Sequence, residues 1–233
     1  MKIKEEKQMA KILSVRMTFT EEVLGSAPNN EELMADYIAS KAPDAKKKSE
    51  EVEAVGAEGV LDRMMTVFPR DEHDRPFVFD YVFKGMLKDS IGFLRTISSS
   101  KCSKLKAYKK AVDGRIFISD RRVYFHNSEG SNSVYIDIGD CQRPLRADTP
   151  QGPRTALAIS ETIPAGCYVD VSFILLDDTL LPIVRECLDY GKLHGFGQWR
   201  NSGKGKFVWK ELECRDATLD EILSGAPASP TKH

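Results

Sequence analysis

Residues 164–207 read PAGCYVDVSFILLDDTLLPIVRECLDYGKLHGFGQWRNSGKGKF, and the order of signals in this stretch decides the fold. Tyr168, Asp170 and Ser172 alternate with Val169, Val171 and Phe173, which is the period-two pattern of a strand with one buried face. A helix follows. Asp178 or Thr179 can cap it, Pro182 falls in its first turn, and Gly191 is expected to close it. A loop carrying Gly195, Gly197, Gly203 and Gly205 leads into GKFVWKELE (205–213), which reads as a closing strand. The glycines therefore follow a helix and precede a strand. A dinucleotide-binding fold has the opposite order. No G-K-[ST] ends the loop, so it is no Walker motif.

Working upstream, KILSVRMTFT (11–20) sets Leu13, Val15, Met17 and Phe19 against Ile12, Ser14, Arg16 and Thr18, another half-buried strand. EELMADYIASK (31–41) predicts a helix capped by Asn30, and a charged linker is expected over 42–59. MTVFPRDEHDRPFVFDYVF (65–83) reads as a hairpin around a turn-rich centre. KGMLKDSIGFLRTI (84–97) spaces Met86, Leu87, Ile91 and Leu94 as a helix does. RIFISDRRVYF (115–125) predicts two short strands or one bent one, and SVYIDIG (133–139) predicts a further strand. Residues 140–155 read as irregular and 224–233 as a disordered tail.

Composition narrows the class. With 233 residues, 41% hydrophobic and 30% charged, the chain can bury a core without staples, and no apolar run reaches the length of a membrane span. Cys102, Cys141, Cys167, Cys187 and Cys214 are an odd set with no C-x-x-C pair. They read as free, buried thiols in a reducing cytoplasm, with no zinc site. No H-E-x-x-H spacing is present, and no metal or cofactor is expected.

The net charge of −1 hides an asymmetry. Residues 84–122 hold eleven Lys/Arg against three Asp, or +8, and 191–210 hold five Lys/Arg and no acid. A segregated basic face suits a polyanion. The glycine-rich loop adds chemistry to charge. Backbone N–H groups at Gly195, Gly197, Gly203 and Gly205 can approach a phosphate, Arg200, Lys204 and Lys206 supply cations, and Trp199, Phe196 and Phe207 supply faces for a base. Tyr108, amid Lys101, Lys104, Lys106, Lys109 and Lys110, either stacks a base or packs inward. Arg121 and Arg122 either reach phosphates from a protruding ribbon or lie on a plain exposed one.

The run from Ile163 to Phe207 resembles the C-terminal half of the RAMP superfamily of CRISPR-associated proteins, in which a -PAG- turn precedes strand, helix, glycine-rich loop and last strand. FKGMLKDSIGFLR is similar to that superfamily's S-x-K-G-x-x-R helix start. Lys84, Gly85 and Leu87 match it, while Val82 and Phe83 stand where small hydroxyl residues are usual. The resemblance covers roughly 75–100 and 160–212. It is strongest toward the repeating subunit that coats a guide RNA. The TFTEEVLGSAP segment (18–28) also resembles uncharacterised prophage proteins.

The resemblance implies an α+β domain over 1–223 built on a ferredoxin-like (RRM-like) four-stranded antiparallel sheet with two helices. Insertions near 42–75 and 115–160 are then thumb-like or web-like. It implies sequence-independent binding of single-stranded RNA or DNA by repeated cytoplasmic subunits, alongside other members of a ribonucleoprotein. Lys84, Gly85, Lys88, the 101–110 lysines, Arg121, Arg122 and the loop from Gly195 to Lys206 are the expected contacts. A guide-processing endoribonuclease is the enzymatic alternative, with His194 and His126 as candidates for acid–base work. A protein-interaction or mimic module with a vestigial groove is the third reading.

Overall fold

The computed structural model describes residues 9–29, 65–130, 136–149, 152–218 and 221–222, with the backbone only at 9 and over 145–149 and 152–157. The helix expected over 31–41, the linker over 42–59 and the tail over 224–233 lie outside the described residues. The elements in chain order are β1 (Met9–Phe19), β2 (Val23–Leu24), β3 (Ala27–Pro28), β4 (Thr66–Val67), β5 (Phe77–Phe79), α1 (Asp80–Leu94), α2 (Tyr108–Arg115), β6 (Ile116–Ile118), β7 (Arg122–His126), β8 (Gly139–Thr149), β9 (Gly152–Ile163), β10 (Tyr168–Leu175), α3 (Leu181–His194) and β11 (Phe207–Thr218).

The main sheet runs β11-β1-β10-β7-β5, with β6 also paired to β10, and every pairing is antiparallel. If β6 and β7 count as one broken strand, the order is last, first, third, second, with α1 and α3 as the crossovers. That is the ferredoxin-like α+β arrangement. It exceeds four strands because Ser119–Arg121 break β6 from β7 and β5 adds an edge. Residues 116–126, expected in an insertion, therefore belong to this sheet. A third helix, α2, packs beside α1.

Alternation in β1 and β10 places the core. Leu13, Val15, Met17 and Phe19 are buried under the helices together with Val169, Val171, Phe173 and Leu175. α1 contributes Phe83, Leu87 and Ile91, and α3 contributes Val184, Cys187 and Leu188. Each large apolar side chain so buried contributes about 1.5–3 kcal/mol. Rings from distant segments meet here: Phe196 lies 5.9 Å from Phe19 and 5.0 Å from Phe83, and Phe19 lies 6.3 Å from Phe207.

Several local expectations change. Gly191 does not close α3 but sits inside it, because the Phe207 ring occupies the place a Cβ would take. The hairpin over 65–83 reduces to one bridge between Arg70 and Pro76. Its two flanks join different sheets, β4 pairing with β3 and β9 while β5 pairs with β7. Residues 140–155 are not irregular: β8 and β9 form a long hairpin in a second sheet of order β2-β9-β4-β3, with β8 on β9. Pro144 is tolerated because β8 pairs on one side only among the described residues. Of the SVYIDIG segment, 136–138 form no strand and 131–135 lie outside the described residues. All five cysteines are free, but Cys214 is exposed and Cys141 half-buried.

Candidate nucleic-acid interface

Helical geometry divides α1 into two working faces. Gly85 and Asp89 share one, and Lys84 and Lys88 share the next, since residues four apart are neighbours. Gly85 and Asp89 turn toward the glycine-rich loop and, with Tyr81, Gly197, Gln198 and Arg200, line a cleft of about 420 Å³. Lys84 and Lys88 turn the other way. The Lys84 amino group donates to the Asp113 carbonyl at 3.4 Å and lies 4.7 Å from the Phe117 ring, and Lys88 pairs with the Asp113 carboxylate at 2.6 Å. The structure brings the Lys-Gly helix start and the glycine-rich loop to one cleft, through the glycine and not the lysines. Burial and desolvation push the Lys84 pKa down against the pull of Asp113 and Asp80.

The loop's own amides are mostly committed. The Gly195 N–H donates to the Gly191 carbonyl at 2.8 Å, Gly203 to Arg200 at 2.8 Å and Gly205 to Glu22 at 2.7 Å. The phosphate grip expected of these three amides is therefore spent on shaping the loop. Gly197, which lines the cleft, makes no backbone hydrogen bond through its N–H among the described residues. Gly205 has φ +70°, and a Cβ there would collide with the Phe196 carbonyl, so strand β11 and the loop can cross only at glycine. Phe196 and Phe207 are buried in the core and offer no face to a base. Trp199 is 38% exposed and does.

Two cations of the loop are paired. Asp89 accepts from Arg200 and from His194 Nε2 at 2.9 Å, and Lys204 reaches Glu22 at 2.7 Å, a hydrogen bond that raises the Lys204 pKa. Arg200 still has most of its five donors. Lys206 has no ion-pair partner among the described residues. Arg143 on β8 supplies a charge the sequence did not signal. It donates to Gln198 at 2.9 Å and lies 5.3 Å from the Trp199 ring, while its buried Nη1 finds no partner among the described residues. Only the long β8–β9 hairpin, unforeseen from sequence, brings it there.

The other cations divide into tied and free. Arg121 pairs with Asp80 and packs over Phe79 and Tyr81, and Arg122 packs over Phe77, while both side chains stay exposed on the ribbon. Tyr108 packs inward, 5.2 Å beneath the Arg95 guanidinium. Lys101, Lys104, Lys106, Lys109 and Lys110 are exposed and have no ion-pair partner among the described residues. They lie at the opposite end of the helix layer. Ser100 and Cys102 meet Glu186, and Lys101 and Lys104 line a second cleft with Pro182 and Ile183. Eleven residues of α3 separate that cleft from His194, about 16 Å along the helix.

The two histidines considered for catalysis are on opposite faces of the main sheet. His194 ends α3 on the helix side, whereas His126 pairs across from Tyr168 on the open side, so they cannot act together. Among the described residues no cluster of His, Cys, Asp or Glu could hold a metal ion, and no helix is long and apolar enough to cross a membrane.

No protein-family model matches this chain, and no curated protein does. Among solved structures, a chain in the cryo-EM structure of the Type III-B Cmr-beta bound to cognate target RNA matches it with a TM-score of 0.51 at 9% identity. The match covers 90% of this chain and 61% of that one, so this chain spans less than two thirds of its length. At that identity the likeness is one of fold.

Proposed function

We propose that the protein is an RNA-binding subunit of a CRISPR-associated ribonucleoprotein, holding single-stranded RNA by its backbone without reading sequence. The observation that carries this is the cleft in which Gly85 of α1 faces Gly197 and Arg200 of the loop. Two glycines leave room for a sugar–phosphate chain, and Arg200 supplies donors. The free lysines over 101–110 give a strand leaving the cleft along the helix layer a second set of phosphate contacts. The shared fold with a chain of an RNA-bound assembly supports the reading, as does the RAMP-like sequence pattern. Assembly as repeated subunits along the strand belongs to the same proposal.

A second reading has its own support. Arg200, Lys204 and Lys88 are each matched by an acid, and Phe93, Ile97 and Leu193 are exposed on the helix layer. Those features suit a protein-interaction module whose groove is vestigial.

Binding of labelled 40-nucleotide RNA and DNA across salt separates the two. With about six phosphates neutralised, affinity for RNA should fall roughly 300-fold between 50 and 200 mM salt. Reversing Lys101, Lys104, Lys106, Lys109 and Lys110 to Glu should flatten that slope and leave the thermal midpoint unchanged. Absence of binding at 50 mM salt would overturn the RNA reading and favour the interaction module. Equal affinity for DNA would remove the preference for RNA.

A further inference from the structure

The open face of the main sheet carries a second constellation, remote from the glycine-rich loop. β10 lies between β1 and β7, and side chains from the three strands stack across it. The Arg16 guanidinium lies 4.0 Å from the centre of the Tyr168 ring on the β1 side. The His126 ring stacks on Tyr168 from the β7 side, 5.0 Å between centroids and 18° between planes. The result is a file of three planar groups that ends on His126. A cavity of about 500 Å³ opens there, lined by Tyr168, His126, Tyr124, Arg75, His73 and Ser128, among others. Its volume is within the range of small-molecule sites.

Charge at this cavity is compensated. Arg16 donates to both oxygens of Asp170, at 2.8 and 2.7 Å, and pairs with Glu129. Arg75 covers Tyr124 at 4.6 Å and pairs with Asp71 at 2.7 Å. Although His126 is exposed at its rim, packing around its ring pushes its pKa down, Arg16 and Arg75 add to this, and Asp170 opposes them. The cavity therefore offers flat, uncharged ring surface and guanidinium planes already matched by carboxylates. A phosphate gains little here, whereas a flat heterocycle continues the file.

We infer that this cavity binds an unstacked nucleobase, held by stacking on His126 at the end of the Arg16–Tyr168–His126 file and enclosed by Tyr124 and the turn at 73–76. The inference takes from the RNA-binding reading only the origin of the base, which is either one nucleotide of a bound strand or a free mononucleotide. Because stacking tolerates any base, the site has weak sequence preference. Because its charges are matched, its affinity depends little on salt, in contrast to the cleft on the helix side.

The test uses the full chain, the four 5′-mononucleotides and a single-stranded RNA carrying 2-aminopurine, whose fluorescence falls on stacking. Binding of mononucleotides should shift the amide resonances of β7 and β10, with affinity unchanged between 50 and 300 mM salt. Tyr168→Ala should weaken it about tenfold and Tyr168→Phe should restore it. His126→Ala, at the exposed end of the file, should do the same if Tyr168→Ala compromises folding. Arg200→Ala should leave mononucleotide binding intact while weakening binding of the strand. Mononucleotide binding without strand binding would keep the pocket and sink the RNA-coating reading. Quenching of 2-aminopurine in the strand that His126→Ala abolishes would assign the site to a base of bound RNA. No resonance shift at millimolar mononucleotide, with quenching indifferent to His126→Ala, would overturn the inference.

Discussion

The two faces of the main sheet present their cations and rings in different ways. On the helix side, the glycine-rich loop presents backbone and cations, and the fold has already assigned partners to most of them: Asp89 for Arg200, Glu22 for Lys204, and neighbouring carbonyls for three glycine amides. On the open side, Arg16, Tyr168 and His126 form a planar file whose charges cancel locally. A loop rich in glycine and cation is thus not by itself a phosphate grip. What is available for binding is the remainder after the loop has held itself together: Gly197, part of Arg200, Trp199 and Lys206. The open face keeps its rings available because packing beneath the helices is done by other residues.

The sharpest way to break that contrast is to exchange the roles of the loop's aromatics. Phe196 is 1% exposed and touches Phe19 and Phe83, while Trp199 is partly exposed over Arg143. Phe196→Ala should cost about 3–5 kcal/mol, and at 2–4 °C per kcal/mol its thermal midpoint should fall on the order of 10 °C. Trp199→Ala should cost under about 1 kcal/mol and show its effect in RNA affinity instead. Calorimetry on both variants decides the matter, and equal losses of stability would mean the loop has no presenting aromatic.

Next in size are the glycines. Gly205→Ala combines positive φ with a collision against the Phe196 carbonyl, and should cost about 2 kcal/mol or more. Gly197→Ala has positive φ but its nearest neighbour, the Leu24 carbonyl, is 3.5 Å away, so about 1 kcal/mol is expected. RNA affinity should rank them in reverse per unit of stability lost. A Gly205→Ala protein as stable as wild type would show that the loop has room its present packing conceals.

Much of the frame was legible because period and burial coincide. β1 and β10 alternate cleanly, α1 and α3 carry apolar residues at helical spacing, and the PAG turn and glycine-rich loop fix their connections. The second sheet was not legible. β2, β3 and β4 are two residues each, too short to show a period, and β8–β9 carries Pro144, Pro153 and scattered charge. In the site, both glycine-bearing motifs could be picked out in the sequence, but that Gly85 lines one cleft with Gly197 is known only from the structure. The ion pairs did not, since Asp89 and Arg200 stand 111 residues apart and Glu22 and Lys204 stand 182 apart. The planar file escaped for the same reason. The sequence offers His126, with His194, only as a candidate for acid–base work, and the register of three strands sets it on Tyr168 beside Arg16.

The smallest effect probes the wall of the open-face cavity. Asp71 anchors the turn that contributes His73 and Arg75. It accepts from the His73 N–H at 3.0 Å, the Arg75 N–H at 2.9 Å and the Arg75 guanidinium at 2.8 Å. Burial opposes ionisation of this carboxyl, but the hydrogen bonds from Arg75 and His73 outweigh it and hold the pKa down at about 2. A carboxyl whose pKa is lower folded than unfolded stabilises the fold above its unfolded value, near 3.9, and that contribution disappears as pH falls through about 2. Asp71→Asn cannot titrate. The wild-type protein should therefore have the higher thermal midpoint at pH 6, and the gap should close between pH 4 and pH 2. In the same window, mononucleotide binding by the wild type should decline toward that of the variant as the turn loosens. A gap that stays constant down to pH 2 would show that the turn is held by its backbone, and that the cavity wall does not depend on the Asp71–Arg75 pair.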